Sequence, residues 1–412
     1  MRAPNPSMPV STDTIQIGRQ AIFDRRLEVF AYELLYRDAG GRNTFTDGDQ
    51  ASSLTLLNAF MEIGLDRIIG PHKAFINLTR HFFVDMPPTP FSPDRVVLEV
   101  LEDVEVDEAL LQGINKMTGL GFALAMDDYS FQPALAPILP LVQYIKVEVI
   151  PDRLDELARR MPELQATGAK LLAEKVETAD QFERLKAMGF DYFQGFFFAR
   201  PKLIRSNRLH ENSAMILRLL ARLNDPAVPI SEVVYLVSQD PSLSFKILRY
   251  INSAAVGLRS KVESIQRAVV LMGLQRIRAW ASLFALSGLE GRPMELLNMG
   301  ILRANLCEHL SRLCQRGDAD VAYTVGLLSI LDAMLGRPID QLMRDLPLPE
   351  EIKQAIASRQ GVYGELLGQV IRIEHNRWPA VVCRDLDPAQ VSEAFAASSA
   401  AAFAAVELFK DA

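Results

Sequence analysis

Residues Ala169–Pro201, AKLLAEKVETADQFERLKAMGFDYFQGFFFARP, contain one complete structural unit, and the rest of the first half repeats it. Ala169–Leu172 is a short apolar run with the length of a buried strand. Thr178-Ala-Asp-Gln181 is a capping-box pattern, and it opens a helix that carries Phe182, Leu185 and Met188 and stops at Gly189. Tyr192–Phe198 is a second apolar run. Polar groups stand at or near the strand ends: Glu174 and Glu177 after the first, Gln194 within the second.

The same alternation extends toward the N-terminus. Ile15–Phe23 and Leu27–Tyr36 flank Asp24-Arg25-Arg26 as the arms of a hairpin. Lys73–Leu78, Arg95–Leu101, Phe122–Met126 and Tyr144–Val149 are further apolar runs. Between them, Leu110, Leu111, Ile114 and Met117 follow a capping Asp107, and Leu154, Leu157, Met161 and Leu164 follow Pro151-Asp152. Strands that are apolar throughout are buried on both faces, as in a parallel sheet covered by helices. Repetition of the unit predicts an α/β barrel of TIM-like form, with an open doubly wound sheet as the alternative.

Nearly every strand delivers an acid or amide near its C-terminal end: Glu33, Asn77, Glu99 and Glu102, Asp127 and Asp128, Glu174 and Glu177, and Gln194. Lys146 stands among them. In a barrel, that rim is where active sites are built. One such acid is ordinarily a solvated strand end; a set in register on successive strands is not. Hard oxygen ligands in this number suit Mg²⁺ or Mn²⁺, and two such ions can activate water for an in-line phosphodiester displacement.

Composition sets the outer limits. The chain has 412 residues, 49% hydrophobic and 23% charged, with a net charge of -7. That is globular composition, and the acidic balance argues against a general phosphate-backbone binder. Cys307, Cys314 and Cys383 form no CxxC pair, so neither a disulfide framework nor a zinc ribbon is indicated. The N-terminal MRAPNPSMPVST lacks an apolar signal core and reads as a flexible lead over residues 1–13. No apolar run reaches membrane-spanning length, and a cytoplasmic location is expected.

After Pro201 helical periodicity replaces alternation, which divides the chain into a barrel (14–204) and an all-helical domain (205–412). In the second domain, Asp240-Pro241 breaks one helix and begins the next, and Ser264 caps a helix ending at Gly273. The five histidines are His72, His81, His210, His309 and His375, none followed by Asp, so no metal site is expected there. Arg276, Arg278 and Trp280 read as surface residues.

The order ELL…N…ExxE…DD…K…AExVE…QGFFF…P resembles the EAL domain over roughly Ile15 to Pro201. Members of that family hydrolyse or bind cyclic di-GMP, and the barrel is then of the EAL type, trimmed in its peripheral helices. The resemblance implies metal ligation by Glu33, Asn77, Glu99, Asp127, Asp128 and Glu174. It implies a phosphate contact for Arg37, and catalytic roles for Lys146, Glu174 and Gln194, with Lys146 positioning the attacking water. It makes Glu102 a support for the loop after the aspartate pair.

Two departures from the family bear on turnover. The family's DDFGTG is here Asp127-Asp128-Tyr129-Ser130-Phe131-Gln132, without its two glycines, and its Lys-Ile-Asp is Lys146-Val147-Glu148. The segments DPSL, ILRYINSA and SIQRAVVLMGLQRIR resemble the HDOD domain, an HD-related helical fold. Together these features imply a bacterial regulator in cyclic di-GMP signalling. Its partly degenerate EAL domain binds or senses nucleotide, using Mg²⁺ or Mn²⁺ if functional, and its HDOD domain contacts other signalling proteins. An active metal-dependent phosphodiesterase regulated by the HDOD domain and a scaffold without ligand are the alternatives. No nucleic-acid partner or membrane span is expected, and a homodimer is admitted.

Overall fold

The computed structural model describes residues 16–37, 64–85, 91–195, 211–239, 241–252, 262–287, 293–375, 386 and 388–410. The N-terminal lead and the domain boundary near residue 205 lie outside these residues.

Eight strands close a barrel in chain order: β1 (Gln16–Asp24), β2 (Val29–Arg37), β3 (Lys73–Leu78), β4 (Val96–Val100), β5 (Ala123–Met126), β6 (Tyr144–Glu148), β7 (Lys170–Glu174) and β8 (Tyr192–Gln194). The pairs β2–β3 through β7–β8 are parallel. The strand β1 runs antiparallel to both neighbours, β2 and β8. This is the hairpin expected from Asp24-Arg25-Arg26, and its turn is tied by Asp24 Oδ1 accepting from the amides of Arg26 (2.8 Å) and Glu28 (2.9 Å). A two-strand hairpin needs no crossover, so no helix lies between β1 and β2.

Five crossover helices lie among the described residues of the barrel. They are α1 (Leu65–Ile69), α2 (Arg80–Asp85), α3 (Glu108–Gly119), α4 (Leu154–Ala166) and α5 (Ala179–Met188). Asp107 caps α3, and Thr178 with Gln181 forms the capping box of α5, which ends on left-handed Gly189. Between β5 and β6 only two short 3₁₀ turns occur, Pro133–Leu135 and Leu139–Leu141.

Inside the barrel, Ile22, Ala31, Phe75, Val97, Ala125 and Leu172 make an apolar layer flanked by Tyr144 and Tyr192. Side chains alternate along a strand with a period of two, so the residues two positions on form the next layer toward the mouth. Those residues are Glu33, Asn77, Glu99, Asp127, Lys146, Glu174 and Gln194. The candidate site is therefore the second storey of the barrel core.

The second domain is helical throughout its described residues: α6 (Glu211–Asn224), α7 (Ile230–Gln239), α8 (Pro241–Ile251), α9 (Ile265–Met272), α10 (Leu274–Ser287), α11 (Met294–Cys314), α12 (Ala319–Leu328), α13 (Leu331–Leu335), α14 (Ile339–Asp345), α15 (Glu350–Ser358), α16 (Gly361–Glu374) and α17 (Pro388–Lys410). They share one apolar core with α11 at its centre. Among the described residues no single helix is long and apolar enough to cross a membrane.

Candidate functional site

Lys146 is completely enclosed on β6, and its ammonium is the point on which the acids converge. Nζ lies 2.7 Å from Asp127 Oδ1, 2.8 Å from Glu99 Oε1, 3.1 Å from Glu174 Oε1 and 3.4 Å from Glu33 Oε1. Glu33 ties in the two amides: Asn77 Nδ2 donates to its Oε1 at 3.1 Å, and Gln194 Nε2 donates to its Oε2. Seven of the residues singled out from sequence thus meet in one layer.

Register holds this layer together. Asn77 pairs with Glu99 across β3–β4, and Glu148 with Glu174 across β6–β7. The Asp127 amide donates to Val100 O and the Val176 amide to Gln194 O, each at 2.9 Å. Gly195 follows Gln194 with φ 145°, and a Cβ there would stand 2.0 Å from Val176 O. Only glycine lets β8 end so close to the loop after β7.

The charge balance is lopsided. Four carboxylates face one ammonium, and both Glu99 and Gln194 are buried. Glu99 Oε2, Glu174 Oε2 and Gln194 Oε1 are buried acceptors without a hydrogen-bond donor. Burial raises the Glu99 carboxyl well above its ordinary value, against the pull of Lys146 and with the push of Glu33 and Asp127. Glu174 is raised for the same reason, burial first, with Lys146 opposing and Asp127 and Glu33 reinforcing. Burial alone would lower Lys146; Asp127, Glu174, Glu33 and Glu99 outweigh it and hold the ammonium charged far above the usual lysine range.

An excess of buried oxygen acceptors over donors is the chemistry of a hard-cation site. Among the described residues no three acids, histidines or cysteines are spaced as a metal nest in this conformation, since the ammonium stands where they converge. Glu33, Asn77, Glu99, Asp127 and Glu174 are the oxygen donors that a cation here would use, and the Lys146 ammonium occupies the point on which the four acids converge.

Three sequence-predicted residues stand apart from this layer. Asp128 and Glu102 line a cleft of about 360 Å³ beside the barrel mouth, with Tyr129, Phe131, Arg153 and Arg160. Burial raises Asp128, with Asp127 adding and Lys175 opposing; burial likewise raises the exposed Glu102, whose own backbone amide opposes. No bond joins Glu102 to the loop it was expected to support. Arg37 ends β2, and its side chain lies outside the described residues.

The loop after Asp127 turns at other positions than the two lost glycines: Asp128 (φ 39°) and Phe131 (φ 63°) take left-handed backbone, whereas Gln132, where the family motif has a glycine, has φ -70°. Such residues cost about 1–3 kcal/mol each and persist where surroundings hold them. Here the Tyr129 amide donates to Lys146 O at 2.9 Å, and Tyr129 is buried. The Arg160 guanidinium lies 3.6 Å over the Phe131 ring, which packs 5.2 Å from Tyr129. Aromatic and cation–π packing holds these two residues in place.

Sequence reasoning missed Gln20. It pairs with Glu33 across β1–β2, two residues from the inner-layer Ile22, and so takes the β1 position of the same storey. The alternation of Gly18, Gln20 and Ile22 against Arg19, Ala21 and Phe23 carried that signal. In the helical domain, Arg278 and Trp280 are buried, not surface residues. Arg278 donates to Val228 O at 2.9 Å, Trp280 stacks on Tyr250 at 3.5 Å, and Arg276 pairs with Glu308. His309 Nδ1 lies 3.0 Å from Ser398 Oγ.

A barrel with an acid storey, joined to a helical domain, defines a class. The HDOD domain model matches residues 209–376 and the EAL domain model residues 156–201. The chain is 33% identical over 373 residues to YuxH of Bacillus subtilis (strain 168), covering 88% of this chain and 91% of that protein. It is 30% identical over 375 residues to the cyclic di-GMP phosphodiesterase CdgJ of Vibrio cholerae serotype O1, covering 89% and 87%. A solved structure of Klebsiella pneumoniae BlrP1, a manganese/cyclic di-GMP complex, matches with a TM-score of 0.37 at 21% identity, over 47% of this chain and 56% of that one. The chain belongs to the family of proteins that join an EAL domain to an HDOD domain.

Proposed function

We propose that this protein is a cyclic di-GMP signalling regulator whose barrel takes the dinucleotide over a divalent-cation site in the acid storey. The observation that carries the reading is the convergence of Glu33, Glu99, Asp127 and Glu174 on one point, with buried oxygens left over. A scaffold without ligand has no use for that arrangement, because burying unmatched carboxylates is costly. The relative CdgJ is named a cyclic di-GMP phosphodiesterase, which supports the choice of ligand.

Mg²⁺ or Mn²⁺ bound there would supply an activated water and offset charge on the phosphodiester. The chain's own groups have separable tasks. Glu33, braced by Asn77 and Gln194, fixes the edge of the site toward β2 and β8. Lys146 is assigned a water or a phosphate oxygen, which requires its ammonium to leave the acids it pairs with here. Arg37, at the end of β2, is assigned the outer phosphate. The helical domain is assigned contact with partner proteins in the cytoplasm.

Hydrolysis to the linear dinucleotide is the second reading, and the completeness of the ligand set with Lys146 favours it. Purified protein incubated with cyclic di-GMP and Mn²⁺ separates the two. Binding without linear product establishes a receptor; linear product that disappears in Glu33→Ala and Lys146→Ala establishes an enzyme. Absence of binding with and without metal leaves only the scaffold.

A further inference from the structure

A parallel barrel covers its outside with crossover helices, and the antiparallel β1–β2 hairpin has none to offer. The helical domain supplies the missing cover. At the start of α11, Glu295 Oε2 accepts from Tyr32 Oη at 2.7 Å and from Asn298 Nδ2 at 2.9 Å. Tyr32 is buried on the outer face of β2. Arg19, on the outer face of β1, lies 4.6 Å over the Tyr32 ring and 4.3 Å over the ring of Phe403 from α17. Phe403 in turn closes on Gly70, where a Cβ would stand 2.9 Å from the ring.

Strand alternation puts Tyr32 and Glu33 on opposite faces of β2. The residue clamped to the helical domain is thus the chain neighbour of the residue that braces both amides in the acid storey. A shift of α11 against the barrel moves β2, and with it Glu33.

We propose that Tyr32 and Glu295 are positioning residues for Glu33: the docking of α11 on β2 sets where Glu33 stands. Occupancy of the acid storey and the posture of the helical domain are then coupled, and the coupling is reciprocal. A partner that tilts α11 changes the site, and a ligand in the site tightens the docking. Only the metal arm of the test below rests on the function proposed above.

The test uses the full chain as wild type, Tyr32→Phe, Glu295→Leu and Glu295→Gln. Arg67→Ala is the control, because Arg67, on α1, bridges the same two domains through Glu393 at 2.6 Å. Hydrogen exchange is followed in peptides covering β2 and β8. In Tyr32→Phe and Glu295→Leu these amides exchange roughly 5- to 20-fold faster, while Glu295→Gln, which keeps an acceptor for Tyr32, and Arg67→Ala stay within about twofold of wild type. Changes confined to α11, or equal across the whole chain in every variant, overturn the proposal. In the second arm, calorimetry with Mn²⁺ gives about tenfold weaker uptake in Tyr32→Phe. Unchanged affinity there overturns the proposal. Wild type that takes up no Mn²⁺ removes the metal reading alone, and the exchange arm still decides the coupling.

Discussion

Two buried charge clusters in this molecule are built to opposite plans. In the helical domain Arg303 pairs with one carboxylate: Nε and Nη2 reach Glu374 at 2.8–3.0 Å, while Nη1 reaches Ser329 Oγ at 3.2 Å and Nη2 also reaches Met299 Sδ at 3.3 Å. Charge balances charge, and the fork of the guanidinium matches the carboxylate. In the barrel, four carboxylates share Lys146, and oxygens of Glu99 and Glu174 have no donor. A balanced pair holds helices together. In an unbalanced cluster the surplus oxygens are what a further cation would meet, as proposed above.

Removing the cation from each cluster is the sharpest way to break this contrast. Arg303→Met leaves Glu374 buried and alone, and stability falls by about 3–5 kcal/mol, with no recovery on adding Mn²⁺. Lys146→Met brings a similar loss in metal-free buffer, but Mn²⁺ restores it, because the acids accept another cation. Denaturant unfolding with and without Mn²⁺ measures both. Equal behaviour of the two variants in Mn²⁺ removes the distinction.

Neutralising an acid gives a smaller effect of opposite sign in the two places. Glu99→Gln relieves a carboxyl that burial already pushes toward its protonated form, so the ligand-free protein is expected to be stabilised. Glu374→Gln loses a charge-assisted pair and is destabilised. If Glu99→Gln is also destabilised, the surplus of acid is not real.

The loop after Asp127 comes next in size. Arg160→Ala removes the cation–π cover from Phe131 and costs about 0.5–1 kcal/mol, with faster amide exchange over residues 128–132. Unchanged exchange there means that Tyr129 alone holds the turn. The smallest effect is a pH dependence at the seam. Burial raises Glu295 above its ordinary 4.5, with Arg19, Asn298 and Tyr32 opposing. A raised carboxyl favours the protonated fold, so its stabilising contribution is full below pH 4.5 and is lost as pH rises through the raised value. The stability of wild type relative to Glu295→Gln falls over that window; a flat difference refutes it.

The acid storey was legible in the sequence because a strand advertises its faces locally. Ala31 and Glu33, Val97 and Glu99, Leu172 and Glu174 each stand two apart, and that spacing survives any tertiary arrangement. The caps at Asp107, Thr178 and Ser264 were legible for the same reason, since each bonds to an amide three residues on. The seam was not. Nothing near Tyr32 announces Glu295, 263 residues away, and helical periodicity cannot tell a buried Arg278 from an exposed one. The turn at Asp128–Gln132 was not legible either: its left-handed backbone falls at Asp128 and Phe131, which no local glycine marks, and Phe131 is covered by Arg160 from outside the motif.

The most direct test of the unbalanced cluster is a calorimetric titration of Mn²⁺ into the full chain, wild type beside Glu33→Gln and Glu99→Gln. Wild type is expected to take up about one to two ions, and both variants to take up none or to bind far more weakly. No uptake by wild type, or equal uptake by all three, would contradict the assignment of the acid storey as a cation site.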